Sequence, residues 1–136
     1  MPPDQIVLLG RSGQLAQALT ETARARQIQC TILSRPQIDY TDIGGLETVL
    51  DETLSSGRGT RVVVNAAAYT NVDGAESEEA LARLVNAEAP ACIAAVCRRH
   101  AVPFIHVSTD YVFDGLVRDA YTEAASGCGS IRCRPR

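Results

Sequence analysis

One stretch near the N-terminus, residues 6–16 (IVLLGRSGQLA), restricts the fold more than any other part of the chain. Four apolar residues, too few for a helix, lead into a turn bounded by Gly10 and Gly13, and helical spacing begins at Leu15. A strand, a tight glycine turn and a helix that opens at once present backbone N–H groups to a phosphate. Ala16 stands at the third position of the dinucleotide-binding fingerprint, where a small residue permits close packing of helix on strand. The alternative is a tight turn in an α/β protein that binds no nucleotide.

The rest of the chain alternates between short apolar runs and helical patterns. Residues 29–33, 62–64 and 104–107 are predicted strands, and helical spacing separates them. This alternation predicts an α/β fold, a doubly wound parallel sheet of the Rossmann type. Right-handed crossovers then put residues 6–9 in the middle of the sheet, with 29–33 on one side and 62–64, followed by 104–107, on the other.

Two helix boundaries are also predicted from the sequence. Thr41 or Asp42 is expected to cap the second helix, since both side chains can accept a backbone N–H. A third helix is expected over residues 78–86, and Pro90 is expected to open a further helical segment, a position where proline is tolerated.

Length and charge narrow the class of protein. The 136 residues suffice for one domain, predicted here as a Rossmann unit over residues 1–124, and the net charge of −3 gives no electrostatic argument for nucleic acid or an anionic membrane. No apolar run approaches the length of a bilayer span, and the first residues lack the pattern of a signal peptide, so we expect a cytoplasmic protein. The five cysteines show no metal-ligand spacing, so no metal site is expected.

Arg35 follows the second predicted strand, at the place where this type of fold meets the adenosine ribose of a dinucleotide. An acidic residue there favours NAD, whereas an arginine accommodates the additional phosphate of NADP. No carboxylate lies between the end of this strand and Asp39, so the sequence favours NADPH. The alternative for Arg35 is a solvated loop charge.

Four stretches occur in an order that is specific when taken together. They are GRSGQL at residues 10–15, VNAAAYT at 64–70, VDGAES at 72–77 and STDYVFDG at 108–115. In this combination the chain resembles the dTDP-4-dehydrorhamnose reductases of the extended short-chain dehydrogenase/reductase superfamily, from residue 4 to about residue 123. The resemblance implies reduction of a 4-keto dTDP-sugar, dTDP-4-dehydro-L-rhamnose, to dTDP-L-rhamnose with NADPH or NADH as cofactor.

The resemblance also implies roles for individual residues. Thr109 would bind the keto oxygen of the substrate or its alkoxide as the catalytic hydroxyl, and Asp110 would be a neighbouring substrate contact. The residues expected at the cofactor are Gly10, Ser12, Gly13, Gln14 and Leu15 at the pyrophosphate, Arg35, Asp39 and Tyr40 on the adenosine side, and Ala68, Tyr69, Thr70 and Val107 towards the nicotinamide.

The end of the chain departs from that family. Its members complete the site with Tyr-x-x-x-Lys, which should begin near position 133, where this chain has Cys133 and then ends at Arg136. Residues 125–136 match no part of the pattern, so we expect a disordered tail of other origin, such as a frameshift or truncation, and little reductase activity. Two alternatives stay open: a non-catalytic NADP-binding regulatory subunit, similar to the methionine adenosyltransferase β subunit, or a fragment without function. The sequence does not fix the oligomeric state, a homodimer included.

Overall fold

The computed structural model describes residues 3–57, 59, 61–108, 113 and 116–125. Within them lies one parallel four-stranded sheet in the order β2-β1-β3-β4. The strands are β1 (Gln5–Leu9), β2 (Gln29–Leu33), β3 (Arg61–Asn65) and β4 (Phe104–His106). The predicted strand order is therefore confirmed, with β1 between β2 and β3. The last strand is one residue shorter than predicted, since it ends at His106.

The helices connect consecutive strands and cover both faces of the sheet. They are α1 (Gln14–Ala25), α2 (Ile43–Ser56), α3 (Gly74–Ser77), α4 (Glu79–Arg83) and α5 (Ala89–Arg99). Of the two predicted caps for α2, the structure selects Asp42, whose carboxylate accepts the Gly45 N–H at 3.0 Å. A cap of this kind satisfies one of the backbone donors that a helix start leaves without an internal partner.

The core divides into two unequal clusters because strand residues alternate between the faces of the sheet. Val7, Leu9 and Val63 face α2 and α5 and belong to the larger cluster, which also contains Leu50. The smaller cluster lies under α1 and is formed by Leu8, Ala16 and Val64, with partly buried residues around it. The central strand is thus buried on both sides, as a parallel sheet requires.

The long helical segment differs from the prediction of two separate helices. A π-helical turn, Leu84–Glu88, joins α4 to α5, so that helix continues from Glu79 to Arg99. The Ala89 N–H donates to the Leu84 carbonyl, which is the wider hydrogen-bond spacing of a π turn. Pro90 explains why the π turn lies here. Proline has no N–H to donate to the carbonyl four residues earlier, and its ring clashes with that carbonyl.

This helix also corrects one expectation about membranes. By length and composition alone, Glu79–Arg99 could cross a bilayer, contrary to the expectation that no stretch would pass that test. The core helix of a globular protein passes the same test. Here Ile93, Val96 and Cys97 are fully buried in the larger core cluster, so the apolar face of α5 already packs against α2 and the sheet.

Candidate functional site

The four parallel strands end at one edge of the sheet, and a cleft of about 440 Å³ opens there. This carboxyl edge is where open α/β sheets bind ligands, and the volume lies within the range of small-molecule sites. The lining residues come from the segments that follow β1, β2 and β3, and from the π turn. They are Gly10, Arg11, Ser12, Ser34, Arg35, Ile38, Tyr40, Ala67, Ala68 and Val85.

Gly10 is fixed at the centre of this edge by the backbone on both sides. Its N–H donates to the Leu33 carbonyl at 2.9 Å, and the next backbone bond runs from the Ala66 N–H to the Leu9 carbonyl, also at 2.9 Å. Its φ of +113° is a backbone angle that residues other than glycine rarely adopt. An added Cβ would lie 3.3 Å from backbone atoms of Ala66 and Ala67. The fold itself therefore requires glycine at position 10.

Gly13 differs from Gly10 in both respects. It is the N-cap of α1 in an ordinary extended conformation, and among the described residues an added Cβ would meet only the Ala66 carbonyl oxygen, at 3.8 Å. Neither backbone strain nor internal packing therefore explains a glycine at this position. No described residue other than Ala66 approaches it, which leaves space for a group that reaches the start of the helix from outside the chain.

The start of α1 suits an anion. Gly13 provides no side-chain cap, and no acidic residue lies in the first turn. The first backbone N–H groups of α1 therefore have no partner within the helix, and the helix dipole favours negative charge there. Gln14 and Leu15 begin the helix on the exposed side, while Ala16 is fully buried against the sheet, as the fingerprint position requires.

Arg35 lies at the rim of the cleft, with about three-quarters of its side chain exposed. Its guanidinium pairs with Asp39, at 3.2 Å between Nε and Oδ2 and 3.3 Å between Nη2 and Oδ1. The backbone N–H and the hydroxyl of Thr41 both donate to the Asp39 carboxylate, and these bonds, more than Arg35, hold its pKa below the usual value. Asp39 is thus ionised at neutral pH and holds Arg35 beside the cleft.

Tyr40 connects the cleft to a buried polar chain. Its hydroxyl donates to Asn65 Oδ1 at 2.7 Å, and burial raises its pKa, so the phenol stays neutral. Asn65 is almost fully buried at the end of β3, and its Oδ1 also accepts the Ala67 N–H at 3.1 Å. The Tyr40 hydroxyl and the Ala67 N–H both donate to Oδ1 and so fix the orientation of the amide. Asn65 Nδ2 therefore faces His106 Nδ1 at 3.1 Å and donates a hydrogen bond to it.

The loop after β3, residues 66–70, is held at its far end as well. Asn86 pairs with the backbone of Tyr69 through two bonds: its Oδ1 accepts the Tyr69 N–H at 2.8 Å, and its Nδ2 donates to the Tyr69 carbonyl at 3.0 Å. The Tyr69 hydroxyl donates to Glu78 at 2.5 Å, and this bond raises the tyrosine pKa. The loop therefore has one anchor at Asn65 and another at Asn86.

The structure brings together only part of the residue set expected from the sequence. The cleft is lined by Gly10, Ser12, Arg35, Tyr40 and Ala68, and the neighbouring positions Gly13, Gln14, Leu15 and Asp39 adjoin it in the chain. Tyr69, Thr70 and Val107 do not line it: Tyr69 turns to Glu78, and Val107 is half exposed after β4. Thr109 and Asp110 lie outside the described residues, as does the predicted tail from residue 126 onwards.

Sequence reasoning missed two contributors to the site, Val85 and Asn86. Both lie on the π turn, where the residue pattern was interpreted as ordinary helix. The available signal was Asn86 four residues before Pro90, since proline disturbs the carbonyl at that spacing and asparagine is a weak helix former.

Comparison with known proteins gives a consistent set of matches. Residues 4–128 match the RmlD substrate binding domain family. A dTDP-4-dehydrorhamnose reductase of Mycobacterium tuberculosis is 44% identical over 112 residues, which cover 82% of this chain and 34% of that protein. A reductase of the same name from Burkholderia thailandensis is 40% identical over 126 residues, or 91% of this chain and 40% of that protein.

A solved structure matches the fold as well. The dTDP-4-dehydrorhamnose reductase of Bacillus anthracis, determined in complex with NADP, superposes with a TM-score of 0.79 at 27% identity. The match covers 93% of this chain and 44% of that one. The chain therefore spans between a third and a half of the length of these relatives.

Proposed function

The chain belongs to the dTDP-4-dehydrorhamnose reductase family, and from this premise we propose that it forms the NADPH-binding part of a cytoplasmic NAD(P)H-dependent reductase. The substrate class is a dTDP-linked 4-keto-6-deoxy sugar, and the product is dTDP-L-rhamnose. The observation that carries the proposal is the pairing of Gly10 and Gly13 at the start of α1. The fold explains only the first of these glycines, and the second leaves a space at an anion-attracting helix start.

The residues around the cleft fit a dinucleotide that lies across the ends of β2, β1 and β3, in the order of the strands in the sheet. The turn at residues 10–13 and the first N–H groups of α1 would bind the pyrophosphate. Arg35, beside the end of β2, would bind the 2′-phosphate of NADPH, and Tyr40 would lie on the adenosine side. The loop at residues 66–70 would lie against the cofactor towards the nicotinamide, where small side chains allow a flat ring close to the backbone.

The cofactor, when bound, supplies a hydride to the keto carbon of the sugar. The family resemblance assigns Thr109 a hydrogen bond to the oxygen that becomes negative in this step, with Asp110 as a neighbouring substrate contact. A donor aimed at that oxygen lowers the barrier because it stabilises charge that develops only in the transition state. The protonation of the alkoxide belongs, in the family pattern, to the tyrosine of Tyr-x-x-x-Lys.

The reductase proposal is tested with a chimera. The C-terminal part of the Mycobacterium tuberculosis relative is joined after Glu123, and NADPH oxidation is followed with the dTDP-4-keto-6-deoxy-L-sugar. We expect the chimera to turn over and the 136-residue polypeptide alone to be slower by about 10²–10⁴-fold or more, the usual contribution of a general acid.

Two outcomes of this assay would contradict the proposal. A folded chimera that binds NADPH but never oxidises it with this substrate would reject the substrate class. Equal rates from the chimera and the 136-residue polypeptide would reject the assignment of the proton donor to the Tyr-x-x-x-Lys motif of the added part. A Thr109→Val chimera, which keeps the shape of the side chain, should bind NADPH normally and lose turnover.

A further inference from the structure

The side chain of Asn86 copies the hydrogen-bonding pattern of a neighbouring strand. Its amide oxygen accepts the Tyr69 N–H at 2.8 Å, and its amide nitrogen donates to the Tyr69 carbonyl at 3.0 Å. One side chain thus satisfies both backbone groups of a single loop residue. A loop residue whose N–H and carbonyl are both held in this way has little freedom to change its backbone conformation.

The π turn is what brings Asn86 to this position. A π turn adds one residue to a helical turn, so the residues before and after it present different faces to their surroundings. In this chain α5 turns Ile93, Val96 and Cys97 into the core, while Val85 on the π turn lines the cleft and Asn86 reaches the loop. Turns of this type are rare and occur frequently at functional sites.

The loop held by Asn86 forms part of the cleft wall and has no regular secondary structure. Residues 66–70 belong to no helix or strand, and Ala67 and Ala68 line the cleft with side chains too small to anchor themselves. Asn65 holds the beginning of the loop through the Ala67 N–H at 3.1 Å. Only Asn86 and the Tyr69–Glu78 bond hold its end among the contacts that the described residues show.

We propose that Asn86, presented by the π turn, is a positioning residue that holds residues 66–70 in the conformation required for dinucleotide binding. Asn86 does not line the cleft; it acts through the Tyr69 backbone. Its effect on affinity rests on the proposed cofactor function, whereas its effect on the loop does not. Without the two bonds, the competent loop conformation is only one of several, and apparent affinity falls by the fraction that remains competent.

The test uses Asn86→Ala and Asn86→Asp, with Asn71→Ala as the matched control. Asn71 is an exposed asparagine of the same connection, and its Oδ1 accepts the Gly74 N–H at 3.0 Å, so its loss removes a comparable bond away from the cleft. Asn86→Asp keeps the acceptor for the Tyr69 N–H and loses only the donor to the Tyr69 carbonyl. For each variant, NADPH affinity, thermal unfolding and the exchange of the Tyr69 amide proton are measured.

We expect NADPH binding to weaken roughly tenfold in Asn86→Ala, on the basis of two lost hydrogen bonds, and to stay within about twofold in Asn71→Ala. Exchange of the Tyr69 amide should be faster in Asn86→Ala than in the wild type, and slower in Asn86→Asp than in Asn86→Ala. The amide of Ile93 in α5 should stay protected in all three, which would show an intact helix.

If Asn86→Ala does not fold, Asn86→Asp serves as the test on its own. The expected result is then weaker NADPH binding at neutral pH, together with a Tyr69 amide proton that is still protected from exchange. Folded Asn86 variants that bind NADPH as tightly as the wild type would overturn the proposal. A wild-type chain that binds no NADPH would reject the cofactor function instead. In that case, unchanged Tyr69 exchange in Asn86→Ala would still overturn the loop assignment.

Discussion

Separate substitutions of Gly10 and Gly13 distinguish a requirement of the fold from a requirement of cofactor binding. At Gly10, φ of +113° and backbone atoms at 3.3 Å leave no room for a Cβ, and backbone cannot move aside as a flexible side chain can. We expect Gly10→Ala to lower the free energy of unfolding by about 1–3 kcal/mol from backbone strain alone, with the close contacts adding to it. The measurement is urea denaturation followed by circular dichroism.

At Gly13 the same substitution meets open space. Its backbone is already extended and its Cβ would have one ordinary contact, at 3.8 Å, so Gly13→Ala should stay within about 1 kcal/mol of the wild type, the range of N-cap substitutions. Gly13→Val should also fold, yet it should lose NADPH binding, because its side chain occupies the space left for the pyrophosphate. NADPH titration of the two Gly13 variants and the wild type measures this. A Gly13→Val chain that binds NADPH with wild-type affinity would show that the turn is only structural.

Three further substitutions test separate parts of the account. Arg35→Ala should weaken NADPH more than NADH in parallel titrations, since only NADPH carries the 2′-phosphate; equal weakening of both would reject that contact. Asp51→Asn should lose less stability than the wild type as the pH falls below 3.8. Hydrogen bonds from His100 and then Arg99 lower the pKa of the Asp51 carboxyl in the folded chain. The stability that comes from a lowered carboxyl pKa is present above the pKa of the unfolded chain and is lost as the pH falls through the pKa of the folded chain. Identical acid unfolding of the two chains would contradict this. Leu50→Ala truncates a fully buried side chain of α2 in the larger core cluster, so it should cost about 2–5 kcal/mol in urea denaturation, and a loss below 1 kcal/mol would contradict its place in the core.

The strand order followed from the sequence because each step rested on local patterns and one rule of handedness. Short apolar runs marked the strands, and the doubly wound pattern with right-handed crossovers then placed residues 6–9 in the middle of the sheet. The glycine turn could also be predicted from the sequence. A positive φ at Gly10 and a buried Ala16 are what a strand packed closely on a helix requires.

The polar supports of the site could not be predicted in the same way. Tyr40 and Asn65 are 25 positions apart, and Tyr69 and Asn86 are 17 apart, so their bonds depend on the completed fold. The π turn was missed because the apolar spacing on either side is helical, and one additional residue in a turn alters that spacing only slightly. Side chains that act through another residue give no motif of their own.

Titration of the 136-residue chain with NADPH, followed by two-dimensional NMR of the backbone amides, tests the central claim most directly. We predict saturable shifts that concentrate at Gly10 to Ala16, at Arg35 and at Ala67 and Ala68, the residues that surround the carboxyl edge of the sheet. The amides on the outer face of α2 should stay unchanged. Shifts that do not saturate, or saturable shifts away from this edge, would contradict the dinucleotide site.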